Sequence, residues 1–424
     1  MSRSEQKSLG IDMDNQFQIS LDLPDVRIIE VSKLKNEWLI RVESTLNGTT
    51  CRKCARAIAE FHGHDEAIRL RHLPLFEVPV SIELRPKRYR CPHCDGATTT
   101  QQLSWYHRRR LHTKAYEQWL LRMLINSTVS DVSRKLDVSA ACVTEILDRW
   151  IETEVNWEEF ESIEVLGIDE ISLKRGHRHF VAVITTPTAQ GVGVLGVLAD
   201  RKQATVEGFL SQIPPDLKKT IQTVCMDMHD GYVNAVEAQL PKARIVADRF
   251  HVAKAYRECA DTVRKQELKR LKQELPKGEY DSLKGVMWAF RKPSQDLEGD
   301  EKTLLNRLFA YAPAVEQAYS LREQLSNIFE QPQTKTEAEQ AIQAWCHQVR
   351  EWGVKAFEPF LTTVGNWLDE ITNYFLERQT SGFVEGFNNR IKVLKRRCYG
   401  IFDVKRIFQR LTLDLQGYKR FGST

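Results

Sequence analysis

Glu164-Val165-Leu166-Gly167-Ile168-Asp169-Glu170-Ile171-Ser172-Leu173 is an apolar run with an acidic pair in its second half. A stretch this rich in Val, Ile and Leu reads as a strand buried on both faces. A charged Asp in the body of such a strand is costly without a partner, and Arg, Lys or a divalent cation would suit it. Read alone, Asp169 is equally a strand-end residue satisfied by a turn. The pattern recurs, however: Ile221 to Met228 is another apolar run, and it too ends on a carboxylate, Asp227.

Working outward, His179 to Thr185 and Val192 to Leu198 read as the next two strands, and Ala204 to Ile213 as a helix. Ile221 to Met228 is the fourth strand, Asn234 to Leu240 a helix, and Ala243 to Ala247 a fifth strand, followed by Asp248-Arg249-Phe250-His251. Three hairpin-like strands, a helix, then strand, helix and strand is the order of a ribonuclease-H-like core with a mixed five-stranded sheet. Residues 252 to 378 carry no strand signal and read as helical, with a loop at Gln331 to Glu337. Trp345, Trp352 and Trp367 are packing anchors there. Next come Ser381-Gly-Phe-Val-Glu385-Gly-Phe-Asn-Asn-Arg390-Ile-Lys392 and the cations Lys395, Arg396 and Arg397, on a helix where Glu385 precedes Asn388 and Asn389 by one turn. Taken alone, Glu385 is an ordinary first-turn helix acid.

Upstream, Leu21 to Ile29 hints at a strand and Glu37 to Val42 reads as one. Cys51-Arg-Lys-Cys54 and Cys91-Pro-His-Cys94 are two knuckles separated by 36 residues. Two residues between thiolates let both sulfurs reach one tetrahedral Zn²⁺, and two such knuckles make a closed, structural site. Val78 to Leu84 and Arg88-Tyr-Arg90 alternate like strands of a zinc ribbon. The spacing is long, so His62, His64 and His72 stand as alternative ligands or surface residues. Basic and aromatic residues follow: Arg85, Lys87, Arg88, Tyr89, Arg90, then Trp105-Tyr-His-Arg108-Arg109-Arg110, a composition suited to the phosphate backbone of DNA. Thr113 caps a helix running to Asn126. Ser130 to Leu147 reads as helix, turn at Asp137-Val138-Ser139, and helix, with Val132, Leu136, Val143, Ile146 and Leu147 inside and Arg134 and Lys135 outside: a helix-turn-helix pattern. The Glu-rich stretch Ile151 to Glu164 is a linker.

The chain of 424 residues is nearly balanced, at +4, but the charge is uneven. Cys51 to Lys135 holds 16 Lys/Arg against 8 Asp/Glu and Ser381 to Thr424 holds 10 against 3, which marks two surfaces for anionic ligands. No run of about 20 apolar residues could span a bilayer, and no signal peptide is read at the start. Nine cysteines, five of them scattered, suit a reducing cytosol with one metal site.

Two strand-end aspartates and a helix glutamate beside DNA-binding elements fit phosphoryl transfer by two divalent ions, since Mg²⁺ and Mn²⁺ favour carboxylate oxygens. Gly167-Ile-Asp-Glu170, Met226-Asp-Met-His-Asp-Gly-Tyr232, Asp248-Arg-Phe-His251 and Ser381 to Lys392 together resemble the DDE transposases of bacterial insertion sequences, ISL-three type. The likeness covers nearly the whole chain. It implies binding, cutting and joining of double-stranded DNA at terminal inverted repeats, with Asp169, Asp227 and Glu385 as the metal-bound triad, and with the 157 residues between Asp227 and Glu385 including a helical insertion. Asp248 is the alternative second ligand or an auxiliary one. Glu170 and Asp230 are supporting or surface acids, and His177, His229 and His251 are structural or orient phosphate and water.

The expected organisation is a zinc-binding module at 1–112, a helix-turn-helix at 113–155, a ribonuclease-H-like core at 156–252, an all-α insertion at 253–378, and the last helices with Glu385 and a basic tail at 379–424. DNA contacts are expected from Arg88, Arg90, Arg108, Arg109, Arg110, Arg134, Lys135, Arg390, Lys392, Lys395, Arg396 and Arg397. Joining two ends calls for a homodimer or a higher oligomer. The alternatives are a divalent-dependent nuclease without joining activity and a zinc and helix-turn-helix regulator.

Overall fold

The computed structural model describes residues 21–173, 180–189, 191–378, 382–398 and 401–422, with the side chains of residues 382–388 excepted. The chain divides into two compact units, one of residues 1–124, 135–137 and 421–424, the other of residues 125–134 and 138–420.

In the first unit, β1 (Val26–Lys33), β2 (Trp38–Ser44), β6 (Ile68–Leu75) and β7 (Val78–Leu84) form a sheet of order β1-β2-β7-β6. Its inner side chains Ile40, Val42, Leu70, Val80, Ile82 and Leu84 close on Leu103, Trp105 and Tyr106. Short strands β3 (Thr49–Thr50) and β4 (Ala57–Ile58) pair, and β5 (Glu60–His64), β8 (Lys87–Arg90) and β9 (Thr98–Thr100) form a third sheet. The long gap between the cysteine pairs is thereby explained. The β6–β7 hairpin leaves the zinc-ribbon-like part and joins β2, which departs from the expectation that Val78 to Leu84 belongs to the ribbon itself. Helix α1 (Lys114–Leu124) is capped by Thr113, whose hydroxyl accepts from the Tyr116 amide at 3.2 Å.

In the chain that follows, α2 (Val129–Leu136) and α3 (Ala140–Trp150) are joined by a three-residue turn. Asp137 takes a left-handed φ of 50°, and the Ser139 hydroxyl accepts from the Cys142 amide at 3.1 Å. Val132, Val143, Ile146 and Leu147 are buried, as the periodicity of the sequence requires.

The second unit is built on β10 (Val165–Ser172), β11 (Phe180–Thr188), β12 (Gly191–Val197), β13 (Thr223–Met226) and β14 (Arg244–Ala247). The order is β12-β11-β10-β13-β14, antiparallel from β12 to β10 and parallel from β10 to β14. Side chains alternate between two covered faces. Leu166, Ile168, Ala182, Ile184, Val224 and Met226 pack on α4 (Gln203–Ser211) and α6 (Asp230–Gln239), with the short α5 (Pro215–Lys218) between them in sequence. On the opposite face, Ile171, Val181 and Val183 meet Ile391 and Leu394 of α15 (Gly382–Arg397) and Ile407, Phe408 and Leu411 of α16 (Val404–Phe421). Val165, Cys225 and Val246 on that same face meet Val252 and Tyr256 of α7 (Arg249–Glu274).

From α7 the chain stays helical: α8 (Lys277–Asp281), α9 (Val286–Arg291), α10 (Gly299–Tyr311), α11 (Pro313–Glu330), α12 (Lys335–Glu351), α13 (Glu358–Thr372) and α14 (Tyr374–Glu377). They share one core in which Trp345 is buried and donates to the Leu321 carbonyl at 2.9 Å. The loop expected at Gln331 to Glu337 is shorter, because Thr334 and Glu337 form a reciprocal cap that starts α12 at Lys335. No helix among the described residues is long and apolar enough to cross a membrane.

Candidate active site

Strand register brings the acids together. Ile168 pairs with Met226, and Met226 with Ala247, in the parallel half of the sheet. The next residue on each strand is a carboxylate, so Asp169, Asp227 and Asp248 occupy one rung of three adjacent chains, about 4.8 Å apart per step. Alternation then fixes their face. Ile171 and Val165 on β10, Cys225 on β13 and Val246 on β14 share parity with the three aspartates and point toward α7 and α15. Asp169 is 4% exposed and Asp248 5%.

Each carboxylate is also held locally. Asp169 Oδ1 accepts from the Glu170 amide at 2.6 Å, and Asp227 Oδ1 from the Met228 amide at 2.8 Å. Asp248 caps α7, accepting from the Phe250 amide at 2.8 Å. Asp248 thus shares the rung and also satisfies a helix terminus. His251, one turn into α7, lies between two of the acids, its Nδ1 3.2 Å from Asp248 Oδ2 and 3.6 Å from Asp227 Oδ1. Burial works against the imidazolium, yet the bond to Asp248 and the charges of Asp227, Asp248 and Asp169 raise its pKa to about 9. His229 is a cap, its Nδ1 accepting from the Gly231 amide at 3.1 Å, while His177 lies outside the described residues.

Glu170 points to the other face and pairs with Arg201 at 2.7 Å. Beside them Tyr232 is fully buried, and its hydroxyl finds no protein partner among the described residues. Burial first, then the charges of Glu170, Asp227 and Asp169, hold that hydroxyl protonated far above the usual range. An unsatisfied buried donor near two rung carboxylates fits a site completed by water or a hydrated cation. Arg201 escaped the sequence reading because it stands in no pattern of its own, and Tyr232 enters it only as the end of the Met226 to Tyr232 motif, without a role. The residues present therefore suit a divalent ion held by Asp169 and Asp227. Glu385 falls on α15, which covers this face, but its side chain lies outside the described residues.

The four knuckle cysteines converge, all four sulfurs lying within 4.8 Å of one another, the only such group of metal-binding side chains among the described residues. Cys54 and Cys91 Sγ are 3.7 Å apart, close to the ~3.8 Å edge of a tetrahedron with Zn–S bonds of about 2.3 Å. Backbone amides of Cys54 and Lys53 aimed at Cys51 lower its thiol to about 6, while crowding by the neighbouring sulfurs, Cys54 foremost, pushes Cys94 up to about 12. Thiolates packed so closely need a cation to be charged together, and the quartet can hold zinc. The histidines are otherwise engaged: His72 is buried with its Nδ1 2.9 Å from the Thr113 hydroxyl, and His62 Nδ1 faces Arg90 at 3.1 Å. The alternative ligand role for them is not supported by these positions.

The cations divide into two kinds. Arg108, Arg109, Arg110, Arg134, Lys135, Arg390, Lys392 and Arg396 are exposed. Arg88 is half-buried and donates to the Thr98 hydroxyl at 2.8 Å, and Arg90 pairs with Glu60 at 3.5 Å. In the tail, Lys395 turns inward to the Ser172 carbonyl and Arg397 pairs with Asp414. Both expected DNA contacts are thus occupied within the protein, because α15 presents them to the sheet end and to α16 rather than to solvent.

A helix-turn-helix joined to an α/β core with strand-end carboxylates on one rung defines an enzyme that works on DNA. Comparison with known proteins agrees. The DDE domain of ISL3 transposases, described as "Transposase", matches residues 166–411, and the "Helix-turn-helix domain of transposase family ISL3" matches residues 101–151. The chain belongs to the ISL3 family of insertion-sequence transposases. It is 28% identical over 382 residues to the transposase for insertion sequence element IS1001 of Bordetella parapertussis, covering 90% of this chain and 92% of that protein. It is also 23% identical over 391 residues to the transposase for IS1557 of Mycobacterium tuberculosis, covering 87% and 86%.

Proposed function

We propose that this transposase binds the terminal inverted repeats of its insertion sequence and carries out divalent-metal-dependent strand cleavage and strand transfer. The observation that carries the reading is the shared rung of Asp169 and Asp227 on the face covered by α15. The strand order and direction are those expected of a ribonuclease-H-like core at residues 156–252 and 379–424, interrupted by the helical insertion at 253–378.

Asp169, Asp227 and Glu385 would hold the Mg²⁺ or Mn²⁺ ions, Asp227 standing on the strand beside that of Asp169. When bound, such ions lower the pKa of the attacking oxygen and stabilise the leaving one. The chain's own groups do the rest. Amide bonds from Glu170 and Met228 orient the two aspartates, Asp248 fixes His251 beside Asp227, and the buried Tyr232 hydroxyl offers a hydrogen bond at the edge of the acids. Water serves as nucleophile for cleavage and a DNA 3′-hydroxyl for joining, in the same site. Zinc on Cys51, Cys54, Cys91 and Cys94 would fix the fold of residues 1–112, and joining two ends calls for at least two protomers.

The deciding experiment is Mg²⁺- or Mn²⁺-dependent hydrolysis and joining on one labelled fragment bearing the element's own end, wild type beside Glu385→Gln. Both reactions should occur in the wild type and vanish in the variant, with end binding kept. Hydrolysis without joining would instead describe a nuclease. Equal cleavage by both proteins would remove Glu385 from the triad and bring Asp248 forward.

The exposed Arg108, Arg109 and Arg110 are the proposed phosphate contacts of the first unit. Changing all three to Ala should reduce the slope of log affinity against log salt by about 2 to 3, since each phosphate neutralised contributes about 0.9. An unchanged slope would place the cluster off the DNA.

A further inference from the structure

The last helix of the chain joins two parts of the second unit that the sequence keeps far apart. Along one side, α16 shares a core with α15 and the sheet through Ile407, Phe408 and Leu411. Along the other it grips the helix-turn-helix. Arg406 pairs with Asp148 of α3, and Gln409 Nε2 donates to the Ile151 carbonyl at 2.8 Å. Arg410, 2% exposed, donates to the Ser127 carbonyl at 2.7 Å. Gly417 lets Ile125 approach so closely that an added Cβ would lie 2.8 Å from its Cδ1.

One carboxylate touches both partners. Asp414 of α16 accepts the Asn126 amide at 2.9 Å, at the turn that leads into α2, and pairs with Arg397, the last residue of α15. Arg397 Nη1 also reaches Asn126 Oδ1 at 3.4 Å. The ion pair is largely buried, with side chains 18% and 13% exposed. Losing one member of such a set leaves the others charged or unsatisfied in a poorly solvated place, so the three groups move together or not at all. Arg397 closes the helix that carries Glu385 twelve residues earlier, about 18 Å along its axis.

We propose that Arg397 and Asp414 are positioning residues that couple the helix-turn-helix to α15, so that engagement of a DNA end sets the helix bearing the third acid. This rests on the reading of Glu385 as a triad member given above. The coupling makes catalysis conditional on the correct end, through rate at saturation and not through affinity. A passive brace would leave that condition unchanged.

The test uses the full-length protein with two DNAs of equal length, one bearing the element's end and one lacking it. Cleavage is measured at saturation with Mg²⁺, and amide hydrogen exchange of α15 is followed with and without end DNA in the absence of metal. Two variants cut the link. Asp414→Asn keeps an acceptor for the Asn126 amide but loses the charge facing Arg397 and, at 3.8 Å, the buried Arg410. Asn126→Gly keeps the donor and suits the φ of +54° while removing Oδ1.

In the wild type, the end should raise the saturated rate and protect α15. In both variants, end affinity should stay within about twofold while the ratio of saturated rates, end over non-end, falls by about 10-fold or more, and the added protection of α15 disappears. Retention of the ratio and the protection would overturn the coupling. So would end affinity falling in step with rate, the signature of a brace. A wild type that cleaves neither DNA would instead bring down the functional reading itself.

Discussion

Asp169→Asn should lose at least ~1,000-fold in end cleavage, about 4 kcal/mol of barrier, while binding the end as the wild type does. The size follows from where Asp169 stands. It is buried beside Asp227 of the neighbouring strand, on the face covered by α15, so its loss would disturb the proposed cation site. An amide keeps the shape and still offers Oδ1 to the Glu170 amide, so the fold has no reason to suffer. It removes one of the three negative charges around His251, and the melting temperature should be unchanged or higher in metal-free buffer. Cleavage assays beside end-binding titrations check this. Retained cleavage would take Asp169 out of the triad.

The second large effect is expected at the cysteines. Cys51→Ser or Cys94→Ser should lower zinc content from one ion per chain to none and weaken end binding by about 10-fold or more, within the range that loss of positioned phosphate contacts produces. The core under the knuckles is small: Ile58 and Tyr89 are its buried side chains besides Cys51 and Cys91. Two side chains of that size contribute about 2–3 kcal/mol each, too little to hold five short strands and two knuckles together, whereas structural zinc contributes about 10–16 kcal/mol in small domains. Metal analysis and a chelator titration followed by circular dichroism would report the loss. Zinc content equal to that of the wild type would remove the Cys₄ site.

Most of the sheet was readable locally. Val165 to Ser172 forms a strand because its β-branched and aliphatic side chains suit burial on both faces, and the same holds for the runs ending in Met226 and Ala247. The helix-turn-helix was equally legible, since its inward residues recur at helical spacing and Asp137 and Ser139 supply the turn and the cap. The cysteine quartet was plain because short-range spacing makes each knuckle, and only one closure brings four thiols together. Asp169 and Asp227 could be named from their place at the ends of apolar runs, and Glu385 through family resemblance.

Other features depended on contacts between distant parts of the chain. Asp248 stands on the same rung as Asp169 and Asp227 through strand register, which no single strand encodes. Arg201 reaches Glu170 from the turn before α4, and Tyr232 is buried beside them on α6. The basic tail shows the limit most clearly. In sequence, Arg397 and Lys395 carry the same signal as Arg390 and Lys392, a positive charge on a helix after Glu385. Composition determines that the charge exists. Tertiary structure decides what it faces, and here it turns Arg397 onto Asp414 and Lys395 onto the end of β10 while leaving Arg390 and Lys392 in solvent. The physical reason is range: periodicity and capping act over one or two turns, whereas an ion pair's partner is set by which helix the packed sheet brings alongside.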